Sequence, residues 1–126
     1  MLQAISESEM EIMQIIWEND GSIPFAPLME ATQKKGKAWK QNTVLTFLVR
    51  LTDKGYLTAI KTGRAKKYTV TVSEDEYLEE QAKVFLHKVY GGNVKSLVSA
   101  LLKQQGITEE DFLELRGFWK EGGDIK

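Results

Sequence analysis

No cysteine occurs in the 126 residues, which excludes a disulfide framework, a thiolate nucleophile and a thiolate-bound metal. One histidine, His87, argues against a histidine-rich metal site and a Ser-His-Asp triad, and on its own reads as a surface or interface residue. No apolar run approaches the roughly 18 residues a membrane span needs. The start, Met1-Leu2-Gln3-Ala4-Ile5-Ser6, lacks the basic flank and apolar stretch of a signal peptide. The acids Glu74, Asp75, Glu76, Glu79 and Glu80 read as charges favoured at a helix N-terminus rather than as metal ligands. The expectation is a soluble cytoplasmic chain without cofactor, metal, membrane insertion or catalytic activity, folded as one globular domain or one small domain plus an arm.

A formal net charge of −1 conceals a strong segregation. Residues 1–33 carry six acids and no base, and residues 68–126 carry seven bases against eleven acids. Between them, residues 34–67 hold ten bases against Asp53 alone, a local charge of +9. Such a field attracts polyanions, although a lysine-rich stretch can also be a solvated face.

Ser6-Glu7-Ser8-Glu9 has the spacing of a capping box, flanked by Ile5 and Met10 as a hydrophobic staple. It predicts a first helix to about Asn19, with Met10, Ile12, Met13, Ile16 and Trp17 at helical spacing. Ser22 to Phe25 reads as extended, and Pro27 suits the first turn of a second helix. A third helix is expected from about Lys40 to Lys54, ended by Gly55, with Val44, Leu45, Phe47, Leu48 and Leu51 as its buried stripe. Two strands follow: Tyr56 to Lys61, a tight turn at Thr62-Gly63-Arg64-Ala65, then an alternating run through Tyr68, Val70 and Val72. Three more helices are expected: one opened by the Ser73-Glu74-Asp75-Glu76 box and stopped at Gly91-Gly92, one from Asn93 to Gln105, and one capped at Thr108 that fades into Gly122-Gly123.

Helix, short strand, helix, helix, hairpin is the order of a winged helix-turn-helix, whose third helix can enter a major groove while the hairpin lies along the flanking backbone. The fold class expected is therefore mainly α with a small β-hairpin: a winged helix over residues 1–72 and a helical dimerisation region over 73–126. Thr43 and Thr46 can approach base edges or a thymine methyl, and Asn42 and Arg50 suit adenine and guanine or phosphate. Lys40, Lys54, Arg64, Lys66 and Lys67 are phosphate-type contacts. Ordinary solvent-facing threonines and an Arg50–Asp53 ion pair are the plainer readings of single residues; the clustering on one helix face and one hairpin tip favours double-stranded DNA.

The last three helices carry Phe85, Val89, Leu97, Val98, Leu101, Phe112, Leu115, Phe118 and Trp119, an apolar load that so short a segment struggles to bury alone. Either these residues fold back on the first domain, or two chains interleave as a homodimer and set two recognition helices about one DNA turn apart. A ligand-responsive winged-helix regulator of the MarR or PadR sort, and a winged-helix interaction module without DNA binding, are the other readings of this pattern.

Several motifs together resemble the penicillinase-repressor (BlaI/MecI/CopY) family: Ile5-Ser6 to Trp17, Trp39 with Thr43-Val44, Thr46, Leu48 and Arg50-Leu51, and Lys54-Gly55. Gly63-Arg64-Ala65 before Tyr68-Thr69, Ser73 to Tyr77, Tyr90-Gly91-Gly92 with Ser96-Leu97-Val98, and Glu114-Leu115-Arg116 belong to the same set. The resemblance implies a homodimeric repressor of a dyad-symmetric operator. In the antibiotic-linked members it also implies a membrane receptor-protease as partner, acting by cleavage in the dimerisation region. Three positions depart from the pattern. Gln41, Asn42 and Leu45 stand where members often have proline, lysine and a basic residue, implying a different operator or weaker affinity. Ala100-Leu101 occupies the place of the scissile Asn-Phe pair, and the cysteine pairs of the copper-responsive branch are missing.

Overall fold

The computed structural model describes residues 2–104 and 106–120, with backbone only for Trp119 and Lys120. The expected end of the fifth helix at Gln105 and the fading of the last helix into Gly122-Gly123 lie outside the described residues. The chain divides into two compact units, one reaching Gln81 and the other beginning at Ala82.

The first unit begins with α1, Glu7–Glu18, which starts where Ser6 accepts from the Glu9 backbone N–H while the Glu9 carboxylate accepts from that of Ser6, at 3.1 and 2.7 Å. Strand β1, Ser22–Pro24, leads directly into α2, Phe25–Lys34. Helix α3 covers Gln41–Asp53. It ends as a Schellman motif, in which Gly55 at φ 84° lets the Gly55 and Tyr56 N–H groups reach the carbonyls of Thr52 and Leu51. The chain then forms the hairpin of β2, Leu57–Thr62, and β3, Ala65–Val70.

The sheet has three antiparallel strands in the order β1-β3-β2, one more than the expected hairpin. Ile23 lies opposite Tyr68, and the Ser22 and Thr69 hydroxyls meet at 2.9 Å. Gly21 makes this closure possible: at φ +82° a side chain would be strained, and a Cβ would lie 3.0 Å from Val70. Pro24 is tolerated because β1 is an edge strand.

The core joins Ile12, Ile15 and Ile16 of α1, Leu28 of α2, Val44, Leu48 and Leu51 of α3, and Tyr56, Leu57 and Tyr68 of the sheet. It extends past Val72, the expected domain boundary, into α4, Glu74–Tyr90. The Trp17 indole donates to the Val72 carbonyl at 2.9 Å, and the Tyr77 ring packs on Trp17 and Tyr56 with centroids 5.5 and 6.1 Å away. Tyr56 donates its hydroxyl to the Gln3 carbonyl. Burial, together with the neighbouring Tyr77, Glu80 and Glu9, raises its pKa and keeps that proton in place.

The second unit contains the remainder of α4 and the helices α5, Val94–Lys103, and α6, Glu109–Lys120. Local caps account for its helix starts: Asn93 accepts from Ser96 N–H, while Thr108 and Asp111 bond each other's backbone N–H groups.

Glu9 is the buried charge of the first unit, 1% exposed. Its carboxylate receives the Lys54 ammonium at 2.8 Å as well as the Ser6 N–H, tying the start of α1 to the end of α3. Burial alone would raise the Glu9 pKa, but the hydrogen bonds from Lys54 and Ser6 outweigh it and hold the pKa below the ordinary carboxylate value. The pair therefore contributes its full stability above the ordinary carboxylate range and loses it as pH falls through the lowered folded value. Urea unfolding from pH 6 downward should show this loss in the natural chain and a smaller one in Glu9→Gln. Removing the cation instead leaves a buried carboxylate unpaired, so Lys54→Ala should destabilise by about 2–3 kcal/mol at neutral pH, read from the same unfolding curves. A change below about 0.5 kcal/mol, typical of a surface site, would contradict the structural role given to this pair.

Candidate nucleic-acid interface

The side of α3 that faces out is fixed by the side that is buried. Val44, Leu48 and Leu51 pack into the core. At roughly 100° per residue, the line opposite them runs through Asn42, Thr46, Val49 and Asp53, all of them exposed. Thr43 and Arg50 stand on one shoulder of this line and Leu45 on the other. Leu45, expected in the buried stripe, is 38% exposed. It follows Val44 directly and is turned well away from the core, while Phe47 is half-buried against the Trp39 ring, with centroids 5.2 Å apart. Asn42, Leu45, Thr46, Val49 and Arg50 together line a shallow hollow. Sequence reading missed Leu45 and Val49 as members of this face, although helical angles measured from Val44, Leu48 and Leu51 would have identified them.

The polar groups here have limited options. The Thr46 hydroxyl donates to the Asn42 carbonyl at 2.9 Å, so its proton is used within the helix. Arg50 forms no ion pair with Asp53 or any other acid among the described residues. Lys40 is the α3 N-cap: its carbonyl accepts from Thr43 and Val44, and its side chain is exposed.

The wing is a two-residue turn in which Thr62 pairs with Ala65 and Gly63 takes φ 65°, the geometry of a II′ hairpin. Arg64 is at its tip. Side chains alternate faces along a strand, and this separates bases that the sequence groups together. Lys66 shares a face with buried Tyr68 and lies opposite Lys61. Lys67, opposite Ile60, is on the other face. A second hollow between α3 and the wing is bordered by Val49, Asp53, Ala59 and Lys66.

The cationic segment is partly neutralised by α1. Lys35 pairs with Glu18 at 2.9 Å, Lys37 with Glu11, and Lys54 with Glu9; Lys37 also lies 5.5 Å from the Trp39 ring centre. Lys54, expected at a phosphate, is instead engaged by a buried acid. Lys40, Arg50, Lys61, Arg64, Lys66 and Lys67 are exposed and without an ion pair among the described residues. Apart from Lys67, they surround the outward face of α3 and the adjoining side and tip of the wing.

In the second unit, Phe85, Val89, Leu101, Phe112, Leu115 and Phe118 are exposed, as are Val94, Leu102 and Leu113. Leu97 and Val98 are half-buried, His87 is exposed, and the Trp119 side chain lies outside the described residues. Among the described residues no group of acids and histidine could hold a metal, and no helix is long and apolar enough to cross a membrane.

The family model described as penicillinase repressor matches residues 5–121. The penicillinase repressor of Bacillus licheniformis is 32% identical over 111 residues, 88% of this chain and 85% of that protein. The methicillin resistance regulatory protein MecI of Staphylococcus aureus (strain N315) is 30% identical over 112 residues, 89% of each. Among solved structures, the DNA-binding domain of the repressor BlaI matches 61% of this chain and 94% of its own length, at 34% identity and a TM-score of 0.54. Monomeric Bacillus licheniformis BlaI in complex with the blaP half-operator matches with 34% identity and a TM-score of 0.52. The winged-helix fold is thus shared with known DNA-binding domains, and the chain belongs to the penicillinase repressor family.

Proposed function

We propose that this chain is a homodimeric transcriptional repressor that binds a pseudo-palindromic operator through α3 and the wing. The observation carrying this reading is the outward face of α3: an exposed, acid-poor strip bordered by Lys40, Arg50, Lys61, Arg64 and Lys66, none ion-paired among the described residues. In the major groove, Asn42, Thr43, Thr46 and Arg50 lie closest to base edges. Lys40, Lys61, Arg64 and Lys66 meet phosphates, which fix register and make affinity salt-dependent. Lys54 contributes to folding rather than to binding, and Lys67 stands on the far side of the wing. The relatives' names, a repressor and a half-operator complex among them, support this assignment, which calls for no catalytic step.

Exposed apolar side chains on α4, α5 and α6 support the dimer. A second copy of the helical unit would supply apolar surface to cover them, and a dimer presents two copies of α3 to the two half-sites. The receptor-protease partner rests on family likeness alone. Ala100-Leu101 lies inside α5, which has to unwind before such a protease could cut it.

Operator fragments selected from a random duplex pool test the reading directly. Arg50→Ala should weaken binding by about 1–3 kcal/mol and relax preference at one position per half-site. Lys66→Ala should weaken all sequences alike and reduce the log–log salt slope by about 0.9 for each phosphate it no longer neutralises. Lys67→Ala should change neither. Equal effects at Lys66 and Lys67 would remove the wing assignment. Light scattering should give a dimer for the natural chain and a monomer with weaker operator binding for Leu115→Glu/Phe118→Glu. A natural chain that saturates a full operator as a monomer would remove the dimer.

A further inference from the structure

The outward line of α3 is poor in free hydrogen-bonding groups at its centre. There the Thr46 hydroxyl donates to the Asn42 carbonyl, at 2.9 Å, and would have to give up that bond to donate to a base. Beside it are two aliphatic side chains, Val49 at 58% and Leu45 at 38% exposure, and all three line the same hollow. Free donors remain at the edges, on Asn42, Thr43 and Arg50. Exposed aliphatic side chains on a helix otherwise bounded by unpaired cations suit an apolar group that comes with a polyanion. In a major groove the one such group is the C5-methyl of thymine. Phosphates drawn by Lys40, Lys61 and Lys66 would bring that methyl to the strip, and burying it removes apolar surface on both sides from water.

We infer that Leu45 and Val49 are specificity-determining residues that select thymine, through its methyl group, at one or two adjacent positions of each half-site. The inference rests on the DNA-binding reading above and deepens it: recognition on this part of α3 is apolar, with Arg50 and Asn42 supplying polar contacts on either side. Serving as filler on a solvated helix would not require the two largest exposed aliphatics of α3 to lie next to each other in one hollow of its outward face.

Deoxyuridine tests this, since it differs from thymidine only in lacking the methyl and pairs identically. Using the full chain and the tightest duplex from a random pool, each thymine of a half-site is replaced in turn and affinity is measured by competition. One or two positions should lose about fourfold per methyl, the equivalent of one buried methyl-sized group, while the remaining positions stay unchanged. In Leu45→Ala/Val49→Ala, still bound through phosphates and Arg50, the loss at those same positions should shrink to less than twofold. Leu45→Gln, which keeps the length but offers an amide, should shift the selected base away from thymine. Uniform indifference to deoxyuridine, or an undiminished loss in the double variant, overturns the inference while leaving DNA binding standing. A pool that yields no preferred duplex for the natural chain overturns both.

Discussion

Burial of one side of α3 is the constraint on which the rest depends. Val44, Leu48 and Leu51 enter the core against the isoleucines of α1, and a rigid helix so anchored cannot rotate. Asn42, Thr46, Val49 and Asp53 are then held outward as a consequence of packing, with no separate device to orient them. The Schellman closure at Gly55 sets where the helix stops and sends the chain into the wing, so the same few residues position the reading helix and the ribbon beside it.

The Glu9–Lys54 pair fastens this same end of α3 to the start of α1. Glu9 caps α1 and neutralises the last lysine before the wing, so a local signal and a tertiary contact share one carboxylate. Together with Glu11 and Glu18 it divides the cationic segment in two. Some bases hold α1 against the reading helix and its preceding loop, and the others are left facing solvent. The +9 of residues 34–67 therefore overstates the field available to a polyanion; apart from Lys34 on α2 and Lys67 on the far side of the wing, the bases left without an ion pair among the described residues lie along α3 and the near side and tip of the wing.

Much of this is legible in the sequence where the governing chemistry is local. The boxes at Ser6/Glu9 and Ser73/Glu76 and the cap at Thr108/Asp111 depend on residues three apart, and each forms as expected. The turn at Gly63-Arg64 and the end of α3 at Gly55 follow from glycine's access to positive φ. What stays hidden is long-range. Lys54 finds Glu9 across 45 positions, and β1 joins β3 across 47, neither carrying a mark in its own neighbourhood. Tyr77 extends the first unit beyond Val72 because its ring packs on Trp17 and Tyr56, something a capping motif does not reveal. Leu45 departs from expectation for a different reason: its hydrophobicity suggests burial, while its angle around the helix axis places it on the outside.

The strip from Asn42 to Arg50, together with the near side of the wing, is the surface that this account brings to duplex DNA. Titrating labelled protein with a selected duplex while following backbone amide and methyl resonances tests it most directly. The largest changes are expected at Asn42, Leu45, Thr46, Val49, Arg50 and Arg64, with Lys54 and Lys67 nearly still. Changes concentrated instead on α1 and α2, with α3 unmoved, would contradict it.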